Sequence, residues 1–185
     1  MEHGGWGSLV AEVPDYEPRH GAHDRLTGLP NRLLLGQLVD EVLRSSPPDA
    51  LIGLCFVDFD RLGDRLLSTV AGRLDRGLTA PDTLLARIAD TEFVVLVSGP
   101  RLVPGATAEV AAQVAHLLTS PFQVGGHEVT VCAGIGVVER LVGETTYEDL
   151  LSCAADLRVR QAKVGDRSRW MAVDLDRACA LVRTR

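Results

Sequence analysis

Leu84-Leu85-Ala86-Arg87-Ile88-Ala89-Asp90-Thr91-Glu92-Phe93-Val94-Val95-Leu96-Val97 sets two apolar runs on either side of a short polar insert. Runs of this length and composition, broken by a polar tip, predict a β-hairpin that turns at Ala89-Asp90-Thr91-Glu92. The tip holds the acidic groups of an otherwise buried strand pair, which makes Glu92 a candidate site residue. An exposed turn with solvated carboxylates is the other reading these residues allow.

On the N-terminal side, Leu51 to Val57 is a short apolar run closed by Asp58-Phe59-Asp60, the pattern of a central strand. Alternation puts Asp58 and Asp60 on one face, where two carboxylates could hold a divalent cation or merely end the strand in water and cap a helix. Between this strand and the hairpin, Leu66, Leu67, Val70, Ala71 and Leu74 recur at helical spacing within 63–78. Further upstream, Gly28 and Pro30 punctuate the approach to a helix over 33–43. Residues 1–22, rich in Gly, Pro and charge, show neither period and read as a flexible leader.

Beyond the hairpin, 104–118 is an Ala/Val-rich helix, and 121–124 with Gly125-Gly126 turning into 127–138 reads as a second hairpin. A third amphipathic helix is expected over 147–164, a last strand over 169–173 and a short terminal helix over 174–183. Helices alternating with strands and hairpins in this order describe an α+β domain with a mostly antiparallel sheet covered by helices.

The 185 residues, 46% apolar, fit one domain with a short extension. A net charge of -6 argues against a binder of nucleic acid or of anionic membranes, which relies on surplus Lys and Arg. No apolar run approaches the ~20 residues that span a bilayer, and the N-terminus lacks signal-peptide order, so the cytoplasm is the expected compartment. Cys55, Cys132, Cys153 and Cys179 have no metal-ligand spacing and read as buried thiols.

Several motifs bear on function together. Asp24-Arg25-Leu26-Thr27-Gly28-Leu29-Pro30-Asn31-Arg32, the strand end Asp58-Phe59-Asp60, Gly63-Asp64 through Leu74, Pro121-Phe122 followed by Val129 to Val137, and the pairs Ala155-Asp156 and Ala162-Lys163 stand in one order. Over about Asp24 to Val173 they resemble the GGDEF domain of diguanylate cyclases, which condense two GTP into the bacterial messenger cyclic di-GMP. The resemblance implies a nucleotide-cyclase-like fold, a ferredoxin-like palm with a mostly antiparallel central sheet flanked by helices. Its domain would span 23–174, with a C-terminal helix and tail over 175–185.

Active members carry G-G-D/E-E-F in the hairpin, and here it reads Ala89-Asp90-Thr91-Glu92-Phe93. The glycines let backbone approach the nucleotide, and the third residue is a magnesium ligand in the family. Only Arg61 and Leu62 separate Asp60 from Gly63 where the family has about three helical turns more, so the first sheet-packing helix is shortened. The inhibitory product site, R-x-x-D in the family, is Ala80-Pro81-Asp82-Thr83 here, so cyclic di-GMP is not expected to bind there.

The resemblance therefore implies a vestigial GTP site. Asp58 stands at the metal position, Asp64 at a guanine-contacting position, and Lys163 and Arg167 at the γ-phosphate positions. Glu92 is vestigial, and no residue is assigned to catalysis. Magnesium is expected only if that site works. Three readings follow: an inactive domain kept as a signalling module with a protein partner or as a homodimer, a divergent cyclase, or a GTP receptor without turnover.

Overall fold

The computed structural model of the protein describes residues 21–80, 82–153, 170–175 and 178–183. Helix α1 spans Arg32–Ser45, β1 Leu51–Phe59, α2 Asp64–Gly77, β2 Thr83–Arg87, β3 Glu92–Ser98 and α3 Ala106–Leu117. The strands β4 (Phe122–Val124), β5 (His127–Val129) and β6 (Ala133–Leu141) come next. Helical residues over 147–153 precede β7 (Trp170–Leu175) and β8 (Ala178–Arg183). The expected helix over 147–164 is described only in this first part, and the leader before Gly21 lies outside the described residues.

Six strands form one sheet in the order β2-β3-β1-β6-β7-β8, antiparallel throughout except for the parallel pair β6 and β7. β1 is central, as its apolar run suggests. Its residues and those of β3 divide by parity. Ile52, Leu54, Val94 and Leu96 face α1 and Leu150, whereas Cys55, Val57, Phe59, Phe93, Val95 and Val97 face α2 and α3. With helices on both faces, both parities must be apolar, which is why these strands read as unbroken hydrophobic runs.

Three expectations change. The second hairpin is a separate two-stranded ribbon, β4 with β5, and β6 returns to the main sheet after a break at 130–132. Gly125 and Gly126 both take positive φ, +59° and +82°, as a two-residue turn between twisted strands requires. The C-terminal segment is not a helix. Asp174 and Leu175 belong to β7, and Ala178–Arg183 pairs with β7 from Trp170↔Arg183 to Leu175↔Ala178, so the sheet continues to 183. Ala, Leu and Arg favour helix in isolation, but the ladder offered by β7 supplies backbone partners that outweigh so weak a preference. Among the thiols, Cys55 is buried and pushed up to about 12 by that burial, Cys153 is partly buried, and Cys132 is exposed rather than buried. No helix among the described residues is long and apolar enough to cross a membrane.

The ribbon packs into the core beside α2 through Phe122 and Val124, and Arg73 of α2 grips it from the side. The Arg73 guanidinium lies 3.5 Å from the centroid of the buried Phe122 ring, and it donates to the carbonyls of Pro121 (2.7 Å), Leu117 (3.4 Å) and Ser120. Arg73→Lys keeps the charge and loses the planar fork, so it is expected to cost about 1–2 kcal/mol. A lowered urea midpoint at unchanged slope would register that loss.

Candidate functional site

The site is built around the hairpin tip, and the tip is held by the segment preceding α1. The Asp24 carboxylate accepts from the Thr27 N–H (2.8 Å) and the Thr27 hydroxyl (2.7 Å), closing the turn in which Gly28 takes φ +74°. Asn31 caps α1, its Oδ1 accepting from the N–H groups of Leu33 (3.0 Å) and Leu34 (3.1 Å). Its amide nitrogen donates to the Gly21 carbonyl, and its backbone N–H reaches the Ala22 carbonyl at 3.0 Å. The letters of the Asp24–Arg32 motif are thus structural, fixing where the chain comes in against β2.

Arg87, at the end of β2, joins this turn to the hairpin. Nη1 donates to Asp24 Oδ1 at 2.7 Å, Nη2 to the Asp90 carbonyl at 2.7 Å, and the Arg87 N–H to the Pro30 carbonyl at 2.8 Å. Burial opposes ionisation of Asp24, but the Thr27 hydroxyl, the Arg87 guanidinium and the Thr27 N–H outweigh it and hold the carboxyl below its ordinary range. Sequence reasoning did not single out Arg87. The available signal was a lone cation closing an apolar strand, since such a charge needs a partner.

At the tip, the Glu92 N–H and the Ala89 carbonyl close a four-residue turn at 3.4 Å, with the exposed Asp90 at its centre. Neither Asp90 nor Thr91 takes positive φ, so the turn forms without glycine. What side chains at 89 and 90 remove is clearance above the backbone. Thr91 ties the tip to β1: its carbonyl accepts from the Phe59 N–H (3.2 Å), and its hydroxyl donates to Asp58 Oδ1 (3.4 Å). Phe93 is fully buried and meets Phe59 edge-to-face at 5.7 Å.

Of the expected site residues, Asp58 and Glu92 come together, standing opposite each other in the β1–β3 register. Asp60 lies one residue past the strand end and is exposed, so of the two carboxylates only Asp58 stands within the strand. Asp64 is the exposed first residue of α2. Four residues, Asp60 to Gly63, make the whole β1–α2 connection, with Arg61 forced to φ +37°. Lys163 and Arg167 lie outside the described residues. Among the described residues no three carboxylate, imidazole or thiol groups converge as a cation cage would require. Asp82, in the segment that the resemblance aligned with the family's inhibitory motif, takes φ +60°, and its carbonyl accepts from the Ser98 N–H at 3.1 Å.

Beside the tip, an open cavity of about 750 Å³ lies between α1, the hairpin and Tyr147. Burial raises the Tyr147 phenol above its ordinary value. Its ring packs over Gly36, where an added Cβ would come within 3.0 Å.

The profile of the diguanylate cyclase GGDEF domain matches residues 21–169. This chain belongs to the GGDEF-domain family. It is 32% identical over 154 residues to the bifunctional diguanylate cyclase/cyclic di-GMP phosphodiesterase MucR of Pseudomonas aeruginosa, covering 76% of this chain and 22% of that protein. To the cyclic di-GMP phosphodiesterase PdeR of Escherichia coli it is 29% identical over 125 residues, covering 62% of this chain and 18% of that one. The chain therefore spans about a fifth of the length of these curated relatives. Among solved structures, the isolated GGDEF domain of TpbB (YfiN) from P. aeruginosa superposes with a TM-score of 0.69 at 27% identity, over 80% of this chain and 93% of that one. The diguanylate cyclase SiaD from the same organism, solved in complex with its activator SiaC, gives 0.71 at 25% identity, over 90% and 68%. The GGDEF fold, an α+β antiparallel sheet flanked by helices, is thus the fold of this chain, and the family is that of cyclic di-GMP signalling.

Proposed function

We propose that this GGDEF domain does not turn over GTP and serves as a regulatory protein-interaction module of a bacterial cyclic di-GMP pathway in the cytoplasm. The observation that carries this reading is the tip itself. Asp90 projects from a closed turn at the place where active relatives expose glycine, adding bulk and a negative charge beside the expected triphosphate. Thr91 offers a hydroxyl already engaged with Asp58 where a magnesium-ligating acid is expected, so the donor set does not fit the pair of metals that such chemistry uses. The four-residue β1–α2 connection adds to this, being too short to wrap phosphates with backbone amides. The activator bound to SiaD supports a protein partner for a domain of this kind.

A second reading, a GTP receptor or divergent cyclase, draws on the apposition of Asp58 and Glu92. Calorimetric titration with GTP and with cyclic di-GMP, each with magnesium, separates the two. The expected result is no heat of binding from either and no product in the GTP mixture. Saturable GTP binding without product, weakened in Lys163→Glu, would establish the receptor. Product that disappears in Asp58→Ala would overturn the proposal.

A further inference from the structure

Arg32, Gly36 and Asp40 follow one another at four-residue steps along α1, with Leu33 and Gln37 beside them, so the five share one helix face. All five line the 750 Å³ cavity beside the signature hairpin. Leu33 is 61% exposed there, one of the few large apolar side chains so placed among the described residues. Tyr147 covers Gly36 in the middle of the face, and Ile88 and Ala89 carry the apolar lining on toward the hairpin. The opposite face of α1 is already committed, since Leu34, Leu35, Leu38, Val39 and Val42 are buried in the core.

The charges on the cavity face of α1 stand at its two ends. Arg32 opens the helix and Asp40 lies about 12 Å further along its axis, and both are exposed. Among the described residues neither takes part in an ion pair, the pairs being Arg44 with Glu41 and Arg87 with Asp24. A face with a cation at one end, an anion at the other and an apolar middle is complementary to itself after a half-turn. A second α1 laid antiparallel, about a two-fold axis over Gly36, sets Arg32 of each copy against Asp40 of the other. It also brings both Leu33 side chains onto the floors formed by Gly36 and Tyr147. A parallel approach would set like charges together. Exposed ion pairs add little affinity of their own, so they fix the register while Leu33 and the apolar floor supply the contact.

We infer that this face of α1 docks a second copy of the chain, the two helices packing antiparallel with Arg32 paired to Asp40 across a two-fold axis. Such a contact closes on itself and makes each ion pair twice. It brings the second copy up to Ala89, on the flank of the signature hairpin. The inference deepens the reading of the domain as a protein-interaction module, on which it rests, by naming the partner.

Sedimentation velocity of the full chain over a concentration series, without nucleotide, supplies the test. The parent is expected to dimerise. Arg32→Glu and Asp40→Arg each set like charges against each other at both ends of the contact, and each should raise the dissociation constant about tenfold or more. Mixing the two variants in equal amounts restores opposite charges at both ends, so the mixture should dimerise as the parent does, and so should the double variant. Recovery in the mixture also shows that both variants are folded. Leu33→Ser should weaken the dimer and find no rescue in either charge variant. A parent that stays monomeric throughout the series would overturn the inference and leave a different protein as the partner. So would a dimer indifferent to both single charge reversals, or charge variants that fail to associate when mixed. A monomeric parent sinks this inference alone, whereas product in the GTP titration sinks the reading of inactivity.

Discussion

Glu139→Ala is expected to lower stability by about 3 kcal/mol or more, the cost of leaving several buried donors without an acceptor. Helix α3 starts at Gly105, in the left-handed conformation and without a capping side chain. The cap comes instead from the neighbouring strand. The buried Glu139 carboxylate accepts from the Gly105 N–H (2.9 Å), the Thr107 N–H (3.2 Å) and the Thr107 hydroxyl (2.8 Å). Its charge is also favoured at the positive end of the helix. Glu139→Gln keeps the size but turns an amide donor toward these donors, so it should recover only part of the loss. Opposite Glu139 in register stands Gly53, where an added Cβ would lie 1.9 Å from Thr107 Oγ1. Gly53→Ala must therefore displace Thr107 and break the same cap, costing about 2–4 kcal/mol from overpacking and the lost hydrogen bonds. The two substitutions act on one unit, so the double variant should fall short of their sum. Urea denaturation of the four proteins measures this directly. A Glu139→Ala midpoint close to the parent's would show that α3 does not depend on this cap.

That cap was invisible in the sequence, because a remote acid serving a helix 32 residues away leaves no local pattern. What was legible is what repeats along the chain. The helical spacing of Leu67, Val70, Ala71 and Leu74 gave α2, and the interrupted apolar run from Leu84 to Val97 gave β2 and β3 with the turn where expected. The terminal segment misled because its composition favours helix, while its strand exists only through pairing with β7. Within the site, resemblance located Asp58 and Glu92, which the register then set opposite each other. It passed over Arg87, whose partners lie 63 residues back and three residues ahead, a relation that periodicity does not encode.

Arg87→Ala should therefore affect both stability and the signature hairpin. The Arg87 and Asp24 side chains are 12% and 20% exposed, so their contact is mostly shielded from water. Breaking such a pair leaves Asp24 with only the Thr27 donors and frees the Asp90 carbonyl, for an expected loss of about 2–4 kcal/mol. Arg87→Lys should fall almost as far, since one ammonium lacks the fork that spans Asp24 and Asp90 together. The pH dependence follows from Asp24. Its folded-state pKa is depressed, so its contribution is fully present above the unfolded value of about 3.9 and is lost as pH falls through the lower folded value. The gap in stability between parent and Arg87→Ala should thus be widest near neutrality, begin to narrow below about pH 4 and close only as the pH falls through the lower folded value of Asp24. Amide exchange supplies the local readout. The Ile88 and Glu92 N–H groups that close the tip should exchange faster in Arg87→Ala by a factor exceeding the global loss of stability. If exchange at the tip rises only in proportion to that loss, Arg87 supports the fold but does not hold the hairpin.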